Sequence, residues 1–170
     1  MRLRYAIVGV VALGSLAGCT VPPGGRVGLT VDSDGHLAGI VAMCDHKIDG
    51  FSVYEFNEDI DEGDGDVVAD WKSRRSIGSV FTWKVTESGD PEWVSSEPLD
   101  VKALKPDQEY AIYGWTTDNS WSADGPKFKP ADLEELTPGT VLESVYNQKT
   151  DDDINRFTKR SKWIRESCEE

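Results

Sequence analysis

The chain is short of the residues on which enzymes most often build a site. Its 170 residues include two histidines and three cysteines, and acidic residues outnumber basic ones 31 to 18. His36 and His46 stand ten positions apart across an apolar run. In a straight strand that separation is roughly 30 Å, too far for the two to share a metal. Asp45, His46 and Asp49 are close in sequence, but no nucleophile lies beside them to complete a catalytic set. There is no phosphate-binding glycine loop, no Gly-x-Gly-x-x-Gly, no Gly-x-Ser-x-Gly and no Cys-x-x-Cys. No catalytic residue is therefore assigned and no cofactor is expected. A net charge of −13 argues against nucleic acid as a partner, because such binders need a basic surface. No stretch is long and apolar enough for a spanning helix, which needs ~20 residues.

What is present begins at the N-terminus. Arg2 and Arg4 precede the uncharged, mostly apolar run 5–18, which has the length of a signal-peptide core. Leu16-Ala17-Gly18-Cys19 resembles the bacterial lipobox. The resemblance implies that residues 1–18 are a signal peptide removed in export and that Cys19 carries diacylglycerol. An ordinary secretory signal with a cysteine nearby is the alternative. Two acyl chains anchor a protein stably where one binds only marginally. The expected location is thus the extracytoplasmic face of the cell membrane, with the membrane a partner through Cys19. Residues 19–27, with two prolines and two glycines, read as a short lipidated tether.

Residues 1–18 hold two of the basic residues and none of the acidic ones, so the remainder carries 16 basic and 31 acidic residues, a net −15. Solubility is the plain reading of that charge. Cys44 and Cys168 remain after Cys19. Export makes a bridge between them the expectation, and two free thiols the alternative.

Most of the chain reads as short strands. Residues 28–32 lead into Ser33-Asp34-Gly35, a hairpin signal, and residues 37–44 follow as an apolar strand. Ile48-Asp49-Gly50 interrupts before the aromatic and β-branched run 51–56. Residues 67–71 and 80–85 are further strands, the latter with Phe81, Trp83 and Val85 on one face. Pro130–Leu136 reads as a short helix ended by Thr137-Pro138-Gly139. In the C-terminal stretch Ile154, Phe157, Ser161, Ile164 and Cys168 recur at three and four. That spacing predicts an amphipathic helix over 147–170, capped by Thr150 or Asp151 and packed on the domain. The alternative is a basic helix lying on the membrane.

Leu104, Pro106 and Tyr110 have the spacing found at the start of the sixth strand in fibronectin type III domains, which this stretch resembles. The resemblance implies an all-β, immunoglobulin-like β-sandwich over 28–146, with the Tyr110 hydroxyl fixing a corner by bonding back to the main chain. Gly114 departs from that pattern, standing where an apolar residue is usual. The lipobox, the Asp34-Gly35 hairpin and the stretch Tyr113–Trp121 together resemble small lipoproteins of unknown function from high-GC Gram-positive bacteria, which implies a location and no activity.

Two surfaces are candidate sites. Residues 57–66 are dominated by Asp and Glu and read as an exposed loop. No EF-hand register fits: with Gly63 sixth, Ile60 falls third, and with Gly65 sixth, Ile60 falls first. The Asp32–Gly35 stretch fails as well, with Thr30 first and Val41 twelfth. No metal site is expected, and an irregular calcium site using Asp61, Asp64 and Asp66 is the alternative. The second surface is aromatic. Trp115 and Trp121 flank a polar loop with Asn119, near Tyr113, as in sugar- and peptide-binding faces; packing onto the domain edge is the alternative. The function expected is a non-catalytic binding module for cell-wall material or a protein partner. An envelope enzyme using acidic residues is the alternative.

Overall fold

The computed structural model describes residues 21–57, 65–88 and 92–168. It is mostly strand. The elements run β1 (Pro23–Val31), β2 (Leu37–Glu55), β3 (Val67–Lys84), β4 (Trp93–Glu97), a 3-10 turn (Val101–Ala103), β5 (Tyr110–Trp115), β6 (Ser122–Asp124), β7 (Lys127–Phe128), α1 (Pro130–Glu134), β8 (Thr140–Asn147), β9 (Asp152–Lys159) and α2 (Arg160–Glu166). Among the described residues all nine strands belong to one sheet, which closes into a barrel instead of forming two separate facing sheets.

Closure rests on β2. Its first half pairs with β1 from Val31–Leu37 to Gly25–Met43, and its second half pairs with β5 from Gly50–Trp115 to Glu55–Tyr110. β6 then joins β5 to β1 and completes the ring. Between Met43 and Gly50 the pairing of β2 with β3 shifts register, so the strand turns a corner without ending. The interruption expected at Ile48-Asp49-Gly50 is this bulge. Beyond the ring, β4 flanks β3 and β9 flanks β8, which pairs with β1.

Alternation along the strands divides inside from outside. Val27, Leu29, Val41, Phe51, Val53, Ile112 and Leu142 point into the barrel with Trp71, Trp83 and Trp93. Phe51 stacks on Trp83 at 4.0 Å between centroids. The Tyr110 hydroxyl accepts from the Lys105 N–H at 2.9 Å, five residues back, as the corner reading expects.

Two expectations are corrected. The segment read as tether is partly strand, because β1 starts at Pro23. A Cβ at Gly25 would meet the Ala42 carbonyl at 2.4 Å, so this glycine permits close strand packing and is not a spacer residue. The C-terminal segment is helical only over Arg160–Glu166. Residues 147–151 form a hairpin turn, with Asp151 at φ 56° and its N–H on the Asn147 carbonyl. β9 then pairs with β8 from Asn147–Asp152 to Thr140–Lys159. Ile154 and Phe157 share the helical period only by coincidence, and they lie on opposite faces of a strand.

The short α2 crosses the outer surface. Trp163 is buried against Ile40, Ala42 and Val141, and the expected Cys44–Cys168 bridge is present, with its Cα atoms 5.4 Å apart. On the same surface the carboxylate of Glu143 is buried between Arg156 Nε at 2.8 Å and Arg26 Nη1 at 3.4 Å.

The two arginines are 39% and 42% exposed and can reach water alone, whereas the carboxylate cannot. Arg26→Ala/Arg156→Ala strands a buried charge and is expected to cost about 3–5 kcal/mol. Glu143→Leu is expected to cost clearly less. Urea unfolding of the oxidised proteins gives the order, and a reversed order would mean that the Glu143 carboxylate does not depend on the two arginines for its burial.

Candidate functional site

The turn between β5 and β6 is built by its own polar side chains. The Thr116 hydroxyl oxygen accepts from the N–H groups of Ser120 at 2.9 Å and Trp121 at 3.1 Å. Asp118 accepts from the Ser120 hydroxyl at 2.6 Å and the Ser120 N–H at 3.1 Å, and these bonds hold its carboxyl below the ordinary aspartate range. Asn119 takes a left-handed φ of 55°, which asparagine tolerates better than most residues.

The corner of β2 carries this turn. Asp49 accepts the Thr117 N–H at 2.9 Å and the Ser76 hydroxyl at 2.6 Å. Burial works against the Asp49 charge, but these bonds outweigh it and lower its pKa. One carboxylate thus ties the β5–β6 turn to β2 and β3. Trp121 stacks on His46, with centroids 3.4 Å apart and planes 13° apart.

Trp115 goes elsewhere. Its indole N–H donates to the Ser52 hydroxyl at 2.8 Å, and Ser52 donates to Asp70 at 2.7 Å. The ring lies over Gly50, where a Cβ would meet it at 2.3 Å. Tyr113 is half-buried, edge-on to Tyr54 at 6.4 Å, and burial raises its pKa. Lys127 Nζ sits 3.9 Å above the Phe56 ring, extending this aromatic row.

The aromatic candidates therefore share one side of the barrel but not one cleft. Trp115 and Trp121 are each partly buried and each has a partner within the chain, while Asn119 is exposed at the tip. Cys19, Asp61 and Asp64 lie outside the described residues. Asp66 is exposed, and its carbonyl accepts the Glu55 N–H at 2.9 Å.

A group missed by the loop-register reasoning is Asp32, Asp34 and His36, each offering a ligand atom within 4.8 Å of the others. The available signal was alternation around Gly35, which brings every second side chain to one side of a hairpin tip. These are the residues that could hold a divalent cation, with water completing the shell. Asp32 already accepts the N–H groups of Asp34 and His36, both at 2.9 Å, and these bonds lower its pKa. Lys84 faces the same carboxylates, so part of their field is already met by a cation. Glu143, the buried carboxylate, had no sequence signal at all, since nothing in Val141–Ser144 marks which polar residue is inside.

No protein-family model matches the chain, and no significant match is found among curated proteins or solved structures.

The lowered pKa of Asp49 has a definite sign. Its stabilisation is fully present above the ordinary aspartate range and is lost as pH falls through the depressed value. Asp49→Ala is expected to cost about 1–3 kcal/mol near neutral pH. It should also speed hydrogen exchange at the Thr117 amide far more than at β8. An unchanged Thr117 exchange rate would remove Asp49 from its anchoring role.

Proposed function

We propose that the chain is a lipid-anchored protein of the extracytoplasmic face of the cell membrane. In this reading it is a non-catalytic module binding cell-wall material or a membrane-proximal protein. The observation that carries the reading is the distance between lipobox and barrel. β1 begins at Pro23, four residues after Cys19. Four extended residues reach only about 14 Å. The Ser122 N–H donates to the Pro22 carbonyl at 3.1 Å, and Gly24 lies against His46. The anchored end of β1 and the Trp121–His46 stack are thus neighbours, so a lipid on Cys19 would hold Trp121 and Asn119 near the headgroups. A partner for that side is one found at the membrane surface.

Two further observations support the reading. The Cys44–Cys168 bridge suits an oxidising compartment outside the cytoplasm. Two acidic residues of the Trp121 side, Asp49 and Asp118, are engaged in holding backbone and hydroxyl hydrogens, which favours a binding role over a catalytic one for them. The likeness to immunoglobulin-type domains is part of the proposal on one device, the Tyr110 corner.

Expression of the full chain in a Gram-positive host tests the anchor. The native protein is expected in the detergent phase, beginning at a diacylglyceryl Cys19, and Cys19→Ser in the soluble fraction. A soluble, unmodified native protein would refute the reading.

A further inference from the structure

The sheet ends on one side in β9; among the described residues no strand pairs with its outer edge, and the contact with β7 is through a side chain, the Asn155 amide donating to the Lys127 carbonyl. An open edge is a row of free N–H and C=O groups, a template for another strand. On β9 and its hairpin partner, Ile154 is 43% exposed, Phe157 40% and Tyr146 61%. We propose that this edge is a self-association surface, and that β9 pairs antiparallel with β9 of a second copy.

The charge pattern identifies the occupant. The chain carries −13 overall, so most surfaces of two copies repel. The stretch 151–160 is an exception. Asp151, Asp152 and Asp153 stand at its start, and Arg156, Lys159 and Arg160 stand toward its end. Its net charge is zero, and the order reverses when the strand is turned end for end. An antiparallel second copy therefore sets acid against base twice, in the isologous arrangement a two-fold axis requires. The opposite edge, β4, has no such pattern. Its one charged residue, Glu97, has the sign of the whole chain.

The register follows from the same sequence. Residues directly opposite in a symmetric antiparallel pair must point to the same face, so the axis passes through a residue and its copy. Centring on Arg156 would oppose two arginines. Centring on Asn155 keeps almost the whole strand paired and brings Asp151, the last turn residue, which also accepts from the Tyr146 hydroxyl, toward Lys159. Asp152 then lies diagonal to Arg156, and the two Ile154 side chains are diagonal neighbours on the outer surface. Arg156 is 42% exposed while it holds Glu143, so it retains surface for a second carboxylate. This surface does not depend on the anchor at Cys19.

Sedimentation of the full chain carrying Cys19→Ser, from micromolar to near-millimolar concentration, tests the proposal. The expected result is a concentration-dependent dimer. Ile154→Lys opposes Arg156 and Asp152→Lys removes its diagonal partner. Each is expected to weaken association by about tenfold, with far-ultraviolet dichroism and melting unchanged. Asn155→Cys is expected to form an interchain disulfide readily in air, and Gln148→Cys, in the hairpin turn, is not. A native chain that stays monomeric overturns the proposal. So does a dimer that both lysine variants leave intact, or an Asn155→Cys variant that fails to cross-link.

Discussion

The bulged corner of β2 between Met43 and Gly50 is the constraint on which the rest of the molecule depends. A straight strand of that length would present one continuous edge to a single partner. The bend gives β1 one half of the edge and β5 the other, and the three-residue β6 is enough to close the ring between them. Most of the corner residues are out of regular pairing, and three of them are put to use. Cys44 faces out to Cys168, His46 receives Trp121, and Asp49 receives the turn at Thr117. The bridge holding α2 and the polar network holding the β5–β6 turn thus start from the same short stretch of chain. Loss of the corner would open the barrel and release both.

The inside of the barrel was legible because its signal is local. Phe81, Trp83 and Val85 alternate, Asp34-Gly35 specifies a tight turn, and Leu104–Tyr110 carries a corner with a defined hydrogen bond. The disulfide was legible by elimination: with Cys19 set aside by the lipobox reading, Cys44 and Cys168 were left to pair. Closure was not, because strand order depends on contacts between residues tens of positions apart, and a sandwich and a barrel can be built from the same alternating strands. The segment 152–159 was misread for a related reason. Ile154 and Phe157 satisfy a spacing of three, yet the decision between helix and strand was made by pairing with β8, which no window within the segment contains. Glycines misled likewise: Gly24 and Gly25 have a linker's composition, and Gly25 is glycine because Ala42 leaves no room for a Cβ.

The tryptophans illustrate how composition and function separate. Six in one chain suggest a binding face. In the folded molecule Trp71, Trp83, Trp93 and Trp163 are buried, and Trp115 is tied to Ser52. Only Trp121 sits on a side chain that is itself partly exposed, at the corner next to the start of β1. Any recognition there is narrow: one stacked indole and imidazole, with Asn119 at the tip of a rigid turn. Its rigidity comes from Thr116, Asp118 and Asp49, so it would bind by a preformed shape and not by folding around a partner.

The two surfaces of interest lie in different parts of the fold, and this separation bears on how they could work together. The Trp121 corner is reached through β5, β6 and the start of β1. The β9 edge lies beyond β8 and carries no residue of that corner. Pairing at β9 would leave the corner open in both copies, so a dimer would present two equivalent faces related by the two-fold axis. On a membrane, two anchors also hold far better than one, since the second lipid binds from an already tethered molecule. With the proposed anchor and pairing in place, each weak feature, a narrow aromatic face and a short edge strand, would gain from the other without any contact between them. The acidity of the chain fits the same arrangement: it opposes the association of two copies overall, and the stretch 151–160, with three acidic and three basic residues, escapes that net repulsion.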